Sequence, residues 1–156
     1  MMISTKGRYA LRVMLDLAQQ EPDSYIPLDE IASRQEISKK YLEIILKTLV
    51  QNGLLKGLRG KGGGYRLTKK PAEYSVVEIL ELTEGSLAVV ACLRDDAEPC
   101  PRRAGCSTVS MWERFDAMVH EFFFHITLED LLHEEKPRHS GERAGICSGM
   151  PNDTEG

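Results

Sequence analysis

The stretch Arg59-Gly60-Lys61-Gly62-Gly63-Gly64 constrains this chain more than any other. Four glycines in six residues make a poor helix and a poor strand interior, because glycine loses the most backbone freedom on ordering. The segment is therefore a loop or the tip of a turn. Leu54-Leu55-Lys56-Gly57-Leu58 before it and Tyr65-Arg66-Leu67 after it read as short strands, which makes the unit a hairpin with a basic tip. Pro71 ends it. A Walker-type phosphate loop is excluded, since no Gly-Lys-Ser/Thr follows and the glycines lead into a strand rather than a helix.

Three helices precede the hairpin. Thr5 to Gln19 places Tyr9, Ala10, Val13, Met14 and Leu17 on one face at helical spacing. Glu21-Pro22-Asp23-Ser24 breaks it. Pro27 opens a second helix, Leu28 to about Gln35, with Ile31 and Ala32 inward. Ser38 caps a third, Lys39 to about Gln51, whose apolar side is Tyr41, Leu42, Ile45, Leu46 and Leu49. Asn52-Gly53 stops it. Two short helices followed at once by a basic hairpin make a winged helix-turn-helix, and residues 1–73 form that unit. Residues 74–133 hold the rest of the ordered chain. Ser75-Val76-Val77-Glu78 reads as a capping box that opens a fourth helix ending near Gly85. Ala91 to Gly105 is a loop with three cysteines. A long helix follows from about Ser107 to Phe124, striped by Met111, Phe115, Met118, Val119 and Phe122. Thr127 caps a last short helix, Leu128–His133. From Glu134 the chain is polar and aperiodic, and residues 134–156 are expected to be a disordered tail. The expected fold class is mainly α with a small β-hairpin wing.

The 156 residues suit one domain, or a small domain with an appendage. The longest apolar run, Leu87 to Leu93, is far short of the roughly 20 residues that span a bilayer. Residues 1–6 do not resemble a secretory signal. We expect a cytoplasmic protein, in which cysteines stay reduced and serve as ligands, catalysts or sensors. The net charge of −4 hides an asymmetry. Residues 1–72 hold 13 Lys+Arg against 7 Asp+Glu, and residues 73–156 hold 7 against 17. A basic first half suggests a polyanion-binding face joined to a different function.

The physical logic of that face is duplex DNA. A recognition helix fits the major groove, and Ser38, Lys39, Lys40 and Tyr41 put donors and positive charge on the first turn of the third helix. Arg59 and Lys61 ride a thin loop suited to the narrow minor groove. Lys6, Arg8 and Tyr9 of the first helix can hold phosphate. Glu43 repels phosphate yet can accept from cytosine N4; its other reading is a solvated charge or a partner for Lys39 or Lys47.

Cys92-x7-Cys100-x5-Cys106 puts three thiols into one loop. Structural zinc usually brings closer pairs, whereas iron–sulfur clusters tolerate varied spacing on a flexible loop. Three unconnected reduced cysteines fit the spacing as well.

Several of these motifs together resemble one family. They are Lys6-Gly7-Arg8-Tyr9-Ala10, Pro27-Leu28, Ser38-x-x-Tyr41-Leu42-Glu43, Asn52-Gly53-Leu54 and Arg59-Gly60-x-Gly62-Gly63-Gly64-Tyr65, with the cysteine loop and Trp112 to Leu132 including Ile126-Thr127-Leu128. The family is the bacterial winged-helix regulators that include the iron–sulfur cluster assembly regulator and the nitric-oxide-sensing repressor. The resemblance covers residues 1–133. It implies a homodimer zipped by the long helix, a double-stranded DNA operator, and a cluster on Cys92, Cys100 and Cys106 near the dimer interface, 2Fe–2S ahead of 4Fe–4S. It matches Arg59 to the wing arginine and Glu43 to a position that helps discriminate between operator types. There is one departure. The assembly regulator has a ligating histidine three residues after its last cysteine, where this chain has Val109. The nitric-oxide sensor takes a carboxylate from the first helix, where this chain has Lys6 and Arg8. Asp95, Asp96, Glu98, His120, Cys147 or an exogenous thiol are the alternatives for the fourth ligand.

The expected function is a transcription regulator whose operator binding follows cluster state, with a cluster-free thiol sensor as the alternative. An enzyme is not expected. No nucleophile–base pair or dinucleotide fingerprint is present, and His120, His125, His133 and His139 fall on the long helix or beyond.

Overall fold

Ser4 starts the first helix: its hydroxyl accepts the backbone N–H groups of Lys6 and Gly7, and α1 runs Thr5–Ala18. A computed structural model of the chain describes residues 3–134. The helix-turn-helix follows as α2 (Leu28–Gln35) and α3 (Lys39–Gln51). Its turn closes on Glu36, a non-glycine residue in the left-handed region at φ 54°, and the Ile37 N–H returns to the Ala32 carbonyl at 3.1 Å. That conformation costs an L-residue of order 1 kcal/mol, which packing of buried Ile37 offsets.

The expected hairpin is present as β1 (Leu55–Leu58) and β2 (Gly64–Leu67), antiparallel with Leu55 opposite Leu67 and Leu58 opposite Gly64. The loop before α2 adds to it. Ile26 and Tyr65 exchange both backbone hydrogen bonds, at 3.0 and 2.9 Å, and tie the wing to the entry of α2. Gly64 permits this approach, because a Cβ there would lie 2.2 Å from the Ile26 carbonyl oxygen.

One core joins α1, α2 and α3 through Val13, Met14, Ile31, Leu42, Ile45 and Leu46. Tyr74, Ile79 and Leu128 belong to it, so the later elements pack on the winged helix directly. Asp16 is buried within α1 and holds Arg34 through two bonds, 2.9 and 2.8 Å, with Gln35 at 2.9 Å. This locks α1 to α2. The hydrogen bond that Arg34 donates to Asp16 raises the Arg34 pKa further, against its partial desolvation.

The fourth helix, α4 (Val76–Glu84), departs from the expected cap. Ser75 accepts the Glu78 N–H, but the Glu78 carboxylate takes Lys69 Nζ at 3.1 Å instead of returning to Ser75. Only half of the capping box forms, because the hairpin's exit supplies a competing cation. At its other end Glu84 accepts from both the N–H and the hydroxyl of Ser4, at 3.1 and 2.8 Å. Gly7 makes room, since a Cβ there would meet the Glu84 carboxylate at 2.1 Å. A second apolar cluster, Val76, Val77, Leu80 and Leu87, gathers Ile3, Phe123 and Ile126 beneath α4.

The long helix, α5 (Val109–Phe124), starts two residues later than expected, since no side chain caps it at Thr108. None of its residues is fully buried. Asp116, Val119, His120 and Phe123 are half-buried on the chain's own side. Met111, Phe115, Met118 and Phe122 form an exposed stripe, so Val119 leaves the expected set. A capping box between Thr127 and Asp130 opens α6 (Leu128–His133). Apart from Glu134, the expected tail lies outside the described residues. Among the described residues no helix is long and apolar enough to cross a membrane.

Candidate DNA-contact face and cysteine loop

The outward side of α3 carries Lys40, Glu43, Ile44 and Lys47, all exposed, at helical spacing. Ser38 sits at its N-cap and accepts the Tyr41 N–H at 3.4 Å. Glu43 and Lys47 face Arg59 across a groove of about 560 Å³ between α3 and the wing. Arg59 and Lys61 are exposed at the tip. The alternative pairing of Glu43 with Lys39 or Lys47 does not form among the described residues. Lys39 Nζ instead reaches Asp29, in the first turn of α2, at 2.8 Å. Glu43 makes no ion pair among the described residues, which leaves its carboxylate available to a base edge.

The two tyrosines are placed otherwise than as free contacts. Tyr9 and Tyr41 meet edge to face, centroids 5.9 Å apart, and both are half-buried against the core. Arg12 stacks on Tyr9 at 5.1 Å. The contact joins α1 to α3. Arg8 is exposed and Lys6 half-buried near the start of α1.

The cysteine loop hangs between α4 and α5. Cys92 lies in a 3-10 turn, Ala91–Leu93, and Cys106 directly follows another, Arg103–Gly105. Cys92 is exposed, while Cys100 and Cys106 are half-buried. Two contacts pin the loop to α5. Asp116 accepts the Val89 N–H at 3.0 Å, and Glu113 pairs with Arg103 at 2.6 Å. Among the described residues, no three Cys, His, Asp or Glu side chains lie together closely enough to hold a metal ion. The three thiols are therefore not brought together as the loop stands; they are spread over its turns. Cys106 is the one with a distinctive environment. The Thr108 hydroxyl at 3.5 Å, then the backbone N–H groups ahead of α5, hold its thiol below the ordinary value, with Arg103 adding to the effect. Its thiolate fraction near neutral pH is correspondingly raised.

The alternatives for a fourth ligand separate. His120 Nδ1 faces Glu81 at 3.2 Å and its Nε2 faces Asp116 at 3.8 Å, so the ring bridges α4 and α5. Asp96 is held by Arg94 at 2.9 and 3.0 Å. Asp95 lines a polar cavity with His120 and Arg103. Glu98 is exposed, and Cys147 lies outside the described residues. The donor chemistry fits a thiolate-bound group: three soft ligands lie on one accessible loop, which would have to gather them.

Residues 3–134 match the Rrf2 family, described as iron-dependent transcriptional regulators. The chain belongs to the Rrf2 family. The transcriptional regulator IscR of Aliivibrio salmonicida is 32% identical over 152 residues, covering 97% of this chain and 89% of the relative. Among solved structures, the IscR of T. potens superposes with a TM-score of 0.65 at 32% identity, covering 96% of this chain and 94% of the other. CymR, the global cysteine regulator of B. subtilis, superposes with a TM-score of 0.69 at 34% identity, covering 87% and 99%. This Rrf2 chain is thus a DNA-binding transcription regulator with a winged helix-turn-helix, and its relatives are regulators rather than enzymes.

In this Rrf2 chain the winged helix also depends on residues with no periodic signature. Tyr74 is the foremost. Its buried hydroxyl donates to the Leu54 carbonyl and accepts the N–H groups of Thr68 and Lys69, each at 2.8 Å. It fixes both feet of the wing to the core. A lone tyrosine after a 3-10 turn carries no periodic signal, so nothing in the sequence set it apart.

Proposed function

We propose that this protein is a homodimeric regulator whose operator affinity is set by an iron–sulfur cluster held by Cys92, Cys100 and Cys106. The observation that carries the reading is the placement of the cysteine loop. Three thiols lie on one accessible segment pinned at Val89 and Arg103 to α5, the helix that also bears the uncovered apolar stripe. A change at the thiols is thereby delivered to the helix on which two protomers would meet. When bound, the cluster supplies thiolate-sensitive redox and ligand-exchange chemistry, and 2Fe–2S is preferred over 4Fe–4S on the resemblance above. The protein's own part is population shift. Loop and α5 must favour one dimer geometry over another, and only a difference in affinity between the two regulates DNA binding.

In this division of labour residues 1–73 meet the operator and residues 74–133 supply the loop and dimer helices, in a cytoplasmic setting. Lys39, Lys40, Tyr41 and Glu43 enter the major groove after the Ser38 cap. Arg59 and Lys61 reach the minor groove, while Lys6, Arg8 and Tyr9 face backbone. Arg59→Ala is expected to weaken operator binding by about tenfold, within the range of one lost specific contact. Lys6→Ala is expected to lower the salt slope by about one unit, measured by gel shift across a salt series. An unchanged affinity and slope in both would remove this face from the reading.

The test of the cluster is a visible spectrum of anaerobically purified protein, with iron, sulfide and zinc assayed on the same sample. Visible bands with iron and sulfide are expected, and the joint replacement of Cys92, Cys100 and Cys106 by Ala should abolish them in a folded protein. A coloured triple variant overturns the ligand set.

One observation favours a second reading. Cys106 carries a lowered thiol pKa and Cys92 is exposed, which suits a cluster-free thiol sensor. The oxidized CymR of Staphylococcus aureus, with a TM-score of 0.66 at 33% identity, is a structural neighbour in keeping with it. A DNA-binding response that survives iron chelation but follows peroxide would select this reading.

A further inference from the structure

Ile44 stands out on the DNA-facing side of α3. Its side of the helix is otherwise charged, with Lys40 four residues before, Glu43 beside it and Lys47 three residues after. Ile44 is 50% exposed, whereas Ile45 and Leu46 on the other side are completely buried. The fold therefore gains little from an isoleucine here; a lysine or glutamine would serve the helix better. Isoleucine has no polar atom, so it cannot bond to a phosphate or to a donor or acceptor on a base edge. The apolar group that the major groove offers is the C5-methyl of thymine. A β-branched side chain is held in essentially one rotamer within a helix, so it meets that methyl with little loss of freedom.

We infer that Ile44 is a specificity-determining residue that reads a thymine methyl, next to the base pair faced by Glu43. Glu43 carries a carboxylate suited to cytosine N4 that has no ion pair among the described residues, and the two adjacent side chains together read an apolar group and a donor. The inference rests on the reading that α3 enters the major groove.

Replacement of thymine by deoxyuridine removes the methyl and leaves every hydrogen-bonding group in place. An operator is first selected from random duplexes with the full-length protein. Each thymine of the selected duplex is then replaced in turn by deoxyuridine. One thymine per half-site is expected to matter, with affinity falling about fourfold on its replacement, the equivalent of burying one methyl-sized group. Replacement in both half-sites should cost about fifteenfold. Ile44→Ala, a helix-favouring change at an exposed site, should bind more weakly and become indifferent to that replacement. If Ile44→Ala keeps the full sensitivity to every deoxyuridine, or if no thymine is sensitive, the inference fails. Selections with Lys40→Ala and Glu43→Ala separate the levels. Altered sequences there with an unaltered one for Ile44→Ala would overturn this inference alone. Unaltered sequences in all three would overturn the major-groove placement of α3 as well.

Discussion

Tyr74→Phe should destabilise this protein by about 2 kcal/mol while removing a single oxygen atom. The aromatic ring stays, so the core volume is almost unchanged. What is lost is the hydroxyl that receives two backbone N–H groups and donates to the Leu54 carbonyl. The Leu54 oxygen keeps a bond from the Thr68 hydroxyl at 3.1 Å, and the Thr68 N–H keeps a longer one at 3.4 Å. The Lys69 N–H has no such reserve. That donor is only part-buried, so its loss falls toward the lower end of about 1–3 kcal/mol, and the lost buried bond to Leu54 brings the total to the estimate. Tyr74→Ala adds a cavity and should cost about 4 kcal/mol. Urea unfolding at one fixed protein concentration checks both, with the midpoint falling and the slope retained. Hydrogen exchange should show the feet of the wing opening first. An unaltered midpoint in Tyr74→Phe would mean that water replaces the hydroxyl and that the wing is anchored elsewhere.

The second large effect concerns α5. Met118 and Phe122 are 65% and 62% exposed, on a stripe continued by Met111 and Phe115. Soluble chains rarely leave so much contiguous apolar surface uncovered without a partner. In the homodimer proposed above, Met118→Glu with Phe122→Glu places charge in the interface and should yield a monomer by sedimentation. The helix itself should persist, because neither side chain packs in the chain's own core. A monomer reads one half-site, so operator affinity should fall by about 100-fold or more, toward the non-specific level. A variant that remains dimeric would show that the stripe is not where protomers meet.

Much of the winged helix was legible from local chemistry. Ser38 capped α3 and Gly53 stopped it in a left-handed conformation, as their types require. The glycine run gave the wing because few other structures tolerate it. What escaped were pairings across sequence. Ile26 joined the wing because its backbone lies beside Tyr65, and no single-residue preference encodes that. Asp16 with Arg34, and Glu84 with Ser4, pair across 18 and 80 residues. The Ser75 box failed for the same reason: Lys69, far from it in pattern but near in space, took the Glu78 carboxylate. The stripe on α5 was visible as a period, but its exposure was not, since periodicity shows that a face is apolar and says nothing of what covers it. The cysteines were evident as ligand types, yet their separation over several turns depends on loop conformation that spacing does not specify.

The Ser4–Glu84 contact bears on how the protein is handled. Ile3 packs beneath α4, and Ser4 grips the last residue of that helix through two bonds, one residue before the turn that leads toward Cys92. Load applied ahead of residue 3 is therefore carried to the end of α4, where the chain turns into the cysteine loop.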